Sequence, residues 1–302
     1  MGKAGKRHRP RIEKESASRS YFTSRHALHA AMEKRFLTPI ETTQLITDNG
    51  RRILTQPVSR TWVLSLLAGF YIAFGAELAT LVTSDTAQHF GVGVSRLLGG
   101  SVFSLGLMLV VICGAELFTG NSLLTKAALQ GQITWLKIAE NWLIVIIGNL
   151  LGSLFLAWMM VESELWQIGR VAEHAVNIAA AKCELSFGVA LVRGILCNWL
   201  VCLAVFMAAA ARDIPGKMLA CYAPIMAFVA SGFEHSVANM YFIPTGLLLK
   251  AELGLNLPNL TWSRFFIDNL VPVTLGNIIG GVVFVGFAYW FAYLKGVKSD
   301  RQ

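Results

Sequence analysis

The sequence predicts an all-α polytopic membrane protein: six transmembrane helices in an inverted three-plus-three repeat, with helices two and five broken. Three observations predict it. Of the 302 residues, 55% are hydrophobic and only 15% charged, against about 25% charged in soluble domains. Apolar runs long enough to span a bilayer, ~20 residues, recur along the chain. Two of those runs break off in the same way. Residues 97–113 stop at Gly114-Ala115-Glu116-Leu117-Phe118-Thr119-Gly120-Asn121, and residues 218–230 stop at Ser231-Gly232-Phe233-Glu234-His235-Ser236-Val237-Ala238-Asn239. An internal repeat then ties the third run to the sixth. Glu140-Asn141-Trp142 leads to Gly148-Asn149-Leu150-Leu151-Gly152, and Asp268-Asn269-Leu270 leads at the same spacing to Gly276-Asn277-Ile278-Ile279-Gly280. Runs one to three and four to six are therefore equivalent halves. Because three is odd, the halves enter the bilayer from opposite sides.

In chain order, residues 1–37 read as a disordered basic tail of Lys, Arg, Ser and His without apolar period. Thirteen of the 26 Lys and Arg precede residue 61. The net charge of +8 thus reads as a solvated tail plus orientation charges, and no nucleic-acid partner is expected. Residues 3–25 equally suit anionic lipid headgroups. No secretory leader is expected, since no apolar core lies near the N-terminus. Thr38-Pro39-Ile40-Glu41 has the form of a capped helix start with Pro in the first turn. It opens a weakly amphipathic cytoplasmic helix, within 38–58, that Pro57 ends; the plain expectation lays it on the membrane surface. The transmembrane domain, 59–295, holds spans near 61–83, 96–130 (broken at 114–121), 134–161, 185–211, 217–249 (broken at 232–239) and 267–294. Residues 296–302 form a C-terminal tail. Lys126 and Lys137 flank the second connection, Arg212 and Lys217 the fourth, and Lys295, Lys298 and Arg301 close the chain. With the basic tail, these put both termini in the cytoplasm. The third and fifth connections hold Arg170, Lys182, Lys250 and Arg264, offset by Glu162, Glu164, Glu173, Glu184 and Glu252. The five cysteines lack Cys-x-x-Cys spacing and read as small buried hydrophobes. Neither a metal nor a cofactor is expected.

Non-helical backbone at bilayer depth is tolerated only where protein buries it or it lines a cavity. Paired interrupted segments in two halves point to a transport site near the midplane. His235, inside the second break, is the sharpest candidate, because an ionisable side chain there is costly and faces a cavity or a partner. It is suited to donate a hydrogen bond to an anion or to exchange a proton near neutral pH; the bland alternative is a structural histidine satisfied by its neighbours. Glu116 and Glu234 each follow a Gly–apolar pair. Accepting hydrogen bonds from the freed backbone N–H groups is favoured for them over relaying protons. Thr119 offers a hydroxyl donor and acceptor. Asn198 and Asn277 either fasten helices or present amide donors to a passing anion. Phe103, Leu107, Leu117 and Phe228 beside the breaks are core packing or a hydrophobic constriction. Arg193 and Glu77 are each expensive alone and are expected either to pair or to snorkel to the interface.

At these residues the chain resembles the formate/nitrite transporter family. Gly114-Ala115-Glu116-Leu117-Phe118-Thr119-Gly120 looks like one family signature, and Ala230 to Met240 like the other. Cys197-Asn198-Trp199-Leu200-Val201-Cys202-Leu203-Ala204 and Asn269-Leu270-Val271-Pro272-Val273-Thr274-Leu275-Gly276-Asn277 match further family blocks. The similarity covers about residues 38–295. The resemblance implies an aquaporin-like, six-span protomer in a homopentamer, with a pore in each protomer for small monovalent anions of weak acids: formate, nitrite or hydrosulfide. It implies that Thr119 faces His235. It puts Leu107 and Phe228 at a cytoplasmic constriction, and Phe103, Leu117 and Phe228 towards the periplasm. It makes Asn198 and Asn277 pore asparagines, Lys182 a vestibule lysine that focuses anions, and residues 39–54 a helix that gates the cytoplasmic mouth. Phe233, Ile243-Pro244 and Val271-Pro272-Val273-Thr274 resemble formate channels; Gly120-Asn121 and Cys197-Asn198-Trp199 lean to the nitrite branch. Glu77 and Arg193 stand where the family is apolar.

The resulting expectation is a passive or proton-linked formate channel of the bacterial inner membrane. Its partners are formate or related anions, protons, lipid and further copies of the chain; a nitrite or hydrosulfide channel is the alternative. Either His235 holds the anion or it lends a proton, so that the substrate crosses as the neutral acid. A membrane enzyme is disfavoured because no His-Glu-x-x-His, catalytic Ser or phosphate-loop motif occurs. A water or glycerol channel is disfavoured because Glu and His stand where Asn-Pro-Ala would.

Overall fold

Backbone in lipid must satisfy its own polar groups, and this chain does so with helices. The computed structural model describes residues 36–297, so the basic tail 1–35 and Lys298 and Arg301 lie outside the described residues. Six helices are long and apolar enough to cross a membrane: α2 (Val58–Thr83), α3 (Thr86–Gly114), α5 (Trp135–Glu162), α7 (Phe187–Ala210), α8 (Ile214–Ser231) and α10 (Trp262–Tyr293). Four more accompany them: α1 (Pro39–Leu54), α4 (Thr125–Leu129, after a 3-10 turn at Gly120–Leu124), α6 (Val171–Cys183) and α9 (Ser236–Glu252).

The two halves repeat one packing scheme. Helix α2 packs on α3 and α5 as α7 packs on α8 and α10, and the broken helices α3 and α8 meet at the centre. The shared Gly–Asn–aliphatic–aliphatic–Gly element explains the closest crossings. Gly148 and Gly152 lie against Ser65 and Leu66, while Gly276 and Gly280 lie against Leu191 and Ile195. A Cβ at any of the four would overlap its neighbour, so small residues set the helix distance, as is usual in lipid.

Three expectations change. Helix α3 starts at Thr86 rather than near residue 96 and kinks at Gly91, where φ is 83°. Helix α6 lies in a stretch read as a bare connection. Its buried stripe Val171, Ala175, Val176, Ala179 and Cys183 packs against α9, a face that only the folded bundle offers. Lys126 is no surface orientation charge: it is wholly buried. Its Nζ lies 5.1 Å from the Phe206 ring centre and 5.7 Å from that of Tyr289, with no hydrogen-bond acceptor among the described residues.

Helix α1 begins as its sequence indicates. Glu41 N–H donates to Thr38 Oγ1, and the Glu41 carboxylate accepts the Thr38 N–H at 2.8 Å. Rather than lying on lipid, it buries Thr42, Thr43, Ile46, Thr47 and Gly50 against α4 and α7. Leu37 N–H donates to Ala210 O at 2.9 Å, which anchors its start.

Candidate functional site

Helix α3 ends at Gly114 (φ 81°) and α8 at Gly232 (φ 78°), left-handed values that glycine adopts without strain. Beyond each glycine the chain leaves helical geometry at bilayer depth, and its freed backbone groups must find partners. The same atoms serve in both halves. Glu116 N–H donates to Leu64 O at 3.1 Å, and Glu234 N–H to Arg193 O at 3.2 Å. Phe118 N–H donates to Asn149 Oδ1, and Ser236 N–H to Asn277 Oδ1, each at 2.9 Å. Asn149 Nδ2 donates to Glu116 O and Ser65 O at 2.9 and 2.8 Å. Asn277 Nδ2 donates to Glu234 O and Gly194 O at 3.0 and 2.8 Å.

The two carboxylates are therefore not the acceptors of freed backbone N–H groups; the asparagines take that task. Each carboxylate instead accepts a side-chain amide. Asn121 Nδ2 donates to Glu116 at 2.7 Å and to Asn141 Oδ1 at 2.9 Å. Asn239 Nδ2 donates to Glu234 at 2.7 Å and to Asn269 Oδ1 at 2.7 Å. Asn198 likewise spends its amide on protein, on Asn277 O at 2.6 Å, Thr119 O at 3.1 Å and Ser122 Oγ at 3.2 Å. The amide donors of Asn198 and Asn277 thus go to protein groups that fasten the centre.

The symmetry fails where chemistry is possible. Leu117 of the first loop corresponds to His235 of the second. The Ala238 N–H donates to His235 Nδ1 at 3.0 Å, so the neutral ring carries its proton on Nε2. That nitrogen lies 2.9 Å from Thr119 Oγ1 and donates to it. The hydroxyl proton of Thr119 then has no acceptor among the described residues. Likewise Gln56 Nε2 donates to Glu116 at 3.1 Å, whereas its counterpart on Glu234 is a cation: Lys182 Nζ donates to both carboxylate oxygens at 3.0 Å.

Two cavities approach this centre. One, of about 640 Å³, lies on the α1 side and includes Ile46, Gly50, Leu64, Leu107, Glu116 and Leu117 in its lining. The far-side cavity, of about 430 Å³, includes Phe103, Lys182, Arg193, Phe228, Glu234 and His235. Between them Leu107, Leu117, Phe103, Phe228 and His235 are all buried. The Phe103 and Phe228 rings meet edge to face at 5.8 Å, and Phe228 lies over His235 at 5.9 Å. Leu117 shares the α1-side lining with Leu107, whereas the resemblance groups it with Phe103; Phe228, which the resemblance sets in both constrictions, lines the far side with Phe103. Each cavity is lined by three cations against one carboxylate: Arg52, Arg60 and Lys217 with Glu116, and Arg96, Lys182 and Arg193 with Glu234. His174, also in the far lining, is held below the ordinary histidine pKa by burial, which disfavours its charged form. The Glu77–Arg193 ion pair does not form among the described residues. Glu77 sits near Trp166 and Tyr241 instead.

Residues 40–291 match the family model for formate/nitrite transporters. The chain belongs to the formate/nitrite transporter family. It is 42% identical over 281 residues to a probable formate transporter of Methanothermobacter thermautotrophicus, covering 87% of this chain and all of that one. It is 38% identical over 272 residues to the formate channel FocA of Escherichia coli K12, covering 86% and 95%. A solved pentameric formate channel with formate bound matches with a TM-score of 0.70 at 38% identity, covering 78% of this chain and 98% of that one. A solved ion channel of the family matches with a TM-score of 0.75 at 32% identity, covering 83% and 98%.

Several of this family member's site residues are invisible to motif reading. Gln56 is a single polar residue after α1. The Lys182–Glu234 pair joins positions 52 apart through α6, a helix whose sequence carries no strong apolar period. Asn149, Asn141 and Asn269 were within reach, since the internal repeat holds all three, but the spacing carried no statement of what they bind.

Proposed function

We propose that this chain forms a passive channel for formate and related small monovalent anions, in a homopentamer of the inner membrane with one pore per protomer. The observation that carries the reading is the Thr119–His235 pair, buried between two cavities of net positive lining. Basic linings raise the local anion concentration at both mouths. The phenyl and leucyl neck removes water, and desolvating a charge there is costly unless donors replace the water. The Thr119 hydroxyl is such a donor: its oxygen accepts from Nε2–H of the neutral His235, which leaves its own proton to offer. The start of α9 beside His235 adds a favourable helix dipole.

The same geometry weighs against His235 as a lender of protons. A second proton must go on Nδ1, and there it displaces the Ala238 N–H bond. Passage as a hydrogen-bonded anion is accordingly the favoured mode. Formate is favoured over nitrite because relatives at 38–42% identity are a formate channel and a probable formate transporter. The positive-inside pattern of Arg51, Arg52, Lys137, Arg212 and Lys217 supports a cytoplasmic α1 side.

Flux into proteoliposomes tests this, with formate, nitrite and hydrosulfide compared at pH 7 and pH 5. Formate is expected to move fastest, and His235→Asn is expected to slow it at both pH values. Loss of flux only at pH 5 would sink the hydrogen-bonded-anion mode in favour of proton loan. Preference for nitrite would overturn the substrate and keep the site.

A further inference from the structure

The register of the repeat draws attention to Arg193. Its carbonyl accepts the Glu234 N–H as the Leu64 carbonyl accepts that of Glu116, so Arg193 and Leu64 are equivalent positions. Each also lines the cavity of its own half. The half with the buried histidine therefore carries a guanidinium where the other carries an isobutyl group. An arginine within a membrane helix is expensive and is normally paired with protein or set at a water-filled cavity. Here it has no ion pair or hydrogen bond through its side chain among the described residues, and the one carboxylate of the far cavity, Glu234, is already held by both of its oxygens on Lys182. The Lys182 charge is thereby largely spent. The fixed positive charge left uncompensated in that cavity belongs to Arg193 and Arg96.

We propose that Arg193 is a second anion-binding site, a capture site in the far cavity one step outside the Thr119–His235 pair, selective for a planar anion with two oxygens. A guanidinium presents two parallel N–H donors that match a carboxylate or a nitrite, and an anion with a single acceptor atom, such as hydrosulfide, does not match both. The site lies in solvent, so its hold is weak and its occupant passes on readily to the neck. This inference rests on the channel reading above.

The test is concentration-dependent uptake by proteoliposomes holding the full chain at low ionic strength, for wild type, Arg193→Leu and Arg193→Lys. For formate, Arg193→Leu is expected to raise the half-saturating concentration about 2–5-fold, the range of an exposed charge pair, with the maximal rate kept. Arg193→Lys is expected to restore part of the loss. For hydrosulfide, which uses one donor, Arg193→Lys is expected to match wild type, and 1 M salt is expected to erase the formate difference. Unchanged half-saturation in Arg193→Leu beside normal wild-type flux overturns the capture site alone. Absence of wild-type flux for all three anions overturns the channel reading and this site with it. Because Arg193 is exposed, a folded pentamer by size exclusion is expected for each variant.

Discussion

Replacing Asn277 by leucine, of similar volume but without an amide, tests the account of the broken loops most directly. Asn277 holds three backbone groups at 2.8–3.0 Å. The Gly194 carbonyl lies inside α7 and keeps a place in its helical ladder. Among the described residues the Ser236 N–H and the Glu234 carbonyl have no other backbone partner outside the helices, and they become buried orphans. At about 1–3 kcal/mol for each unsatisfied buried group, the loss is about 2–6 kcal/mol. The repeat sharpens the prediction. Asn149→Leu orphans the Phe118 N–H and the Glu116 carbonyl in the same way, so it is expected to cost the same. Unfolding by SDS titration in bicelles measures both against wild type. A loss below 1 kcal/mol in either variant, or losses differing more than twofold, would refute the claim that these two side chains hold the breaks open.

Three other predictions are more compact. Thr119→Val removes the acceptor of the buried His235 Nε2–H and a donor from the neck; formate flux is expected to fall about 3–10-fold, the worth of one hydrogen bond of about 0.7–1.4 kcal/mol, and the orphaned N–H is expected to lower stability by about 1–3 kcal/mol on SDS unfolding. Lys126→Met replaces a buried ammonium that, among the described residues, has two ring faces and no hydrogen-bond acceptor beside it; stability is expected to rise by about 1–4 kcal/mol, and a fall would mean that the ammonium has an acceptor. Gly276→Ala puts a methyl group into the Leu191 carbonyl at the α7–α10 crossing; lower yield of folded protein is expected, and wild-type yield and melting would show that the crossing has slack.

The outline of this protein was legible because lipid leaves a chain few choices. Six apolar runs had to be helices, and the two matched breaks had to be sheltered by protein. The Gly–Asn–aliphatic–aliphatic–Gly element announced both the halves and their close crossings. Thr119 and His235 were legible for the same reason, since polar groups are rare at that depth. What each polar group binds was not legible. The carboxylates of Glu116 and Glu234 took side-chain amides instead of backbone N–H groups, because Asn149 and Asn277, 33 and 43 residues downstream, reach those groups first. Lys126 counted as a surface charge until the fold placed it between Phe206 and Tyr289. Lys182 counted as a free vestibule cation until α6 carried it onto Glu234. Periodicity and composition fix which segments enter the bilayer, since they act through each residue's own transfer free energy. Pairing depends on which helix faces touch, and that is set only when the two halves close on each other.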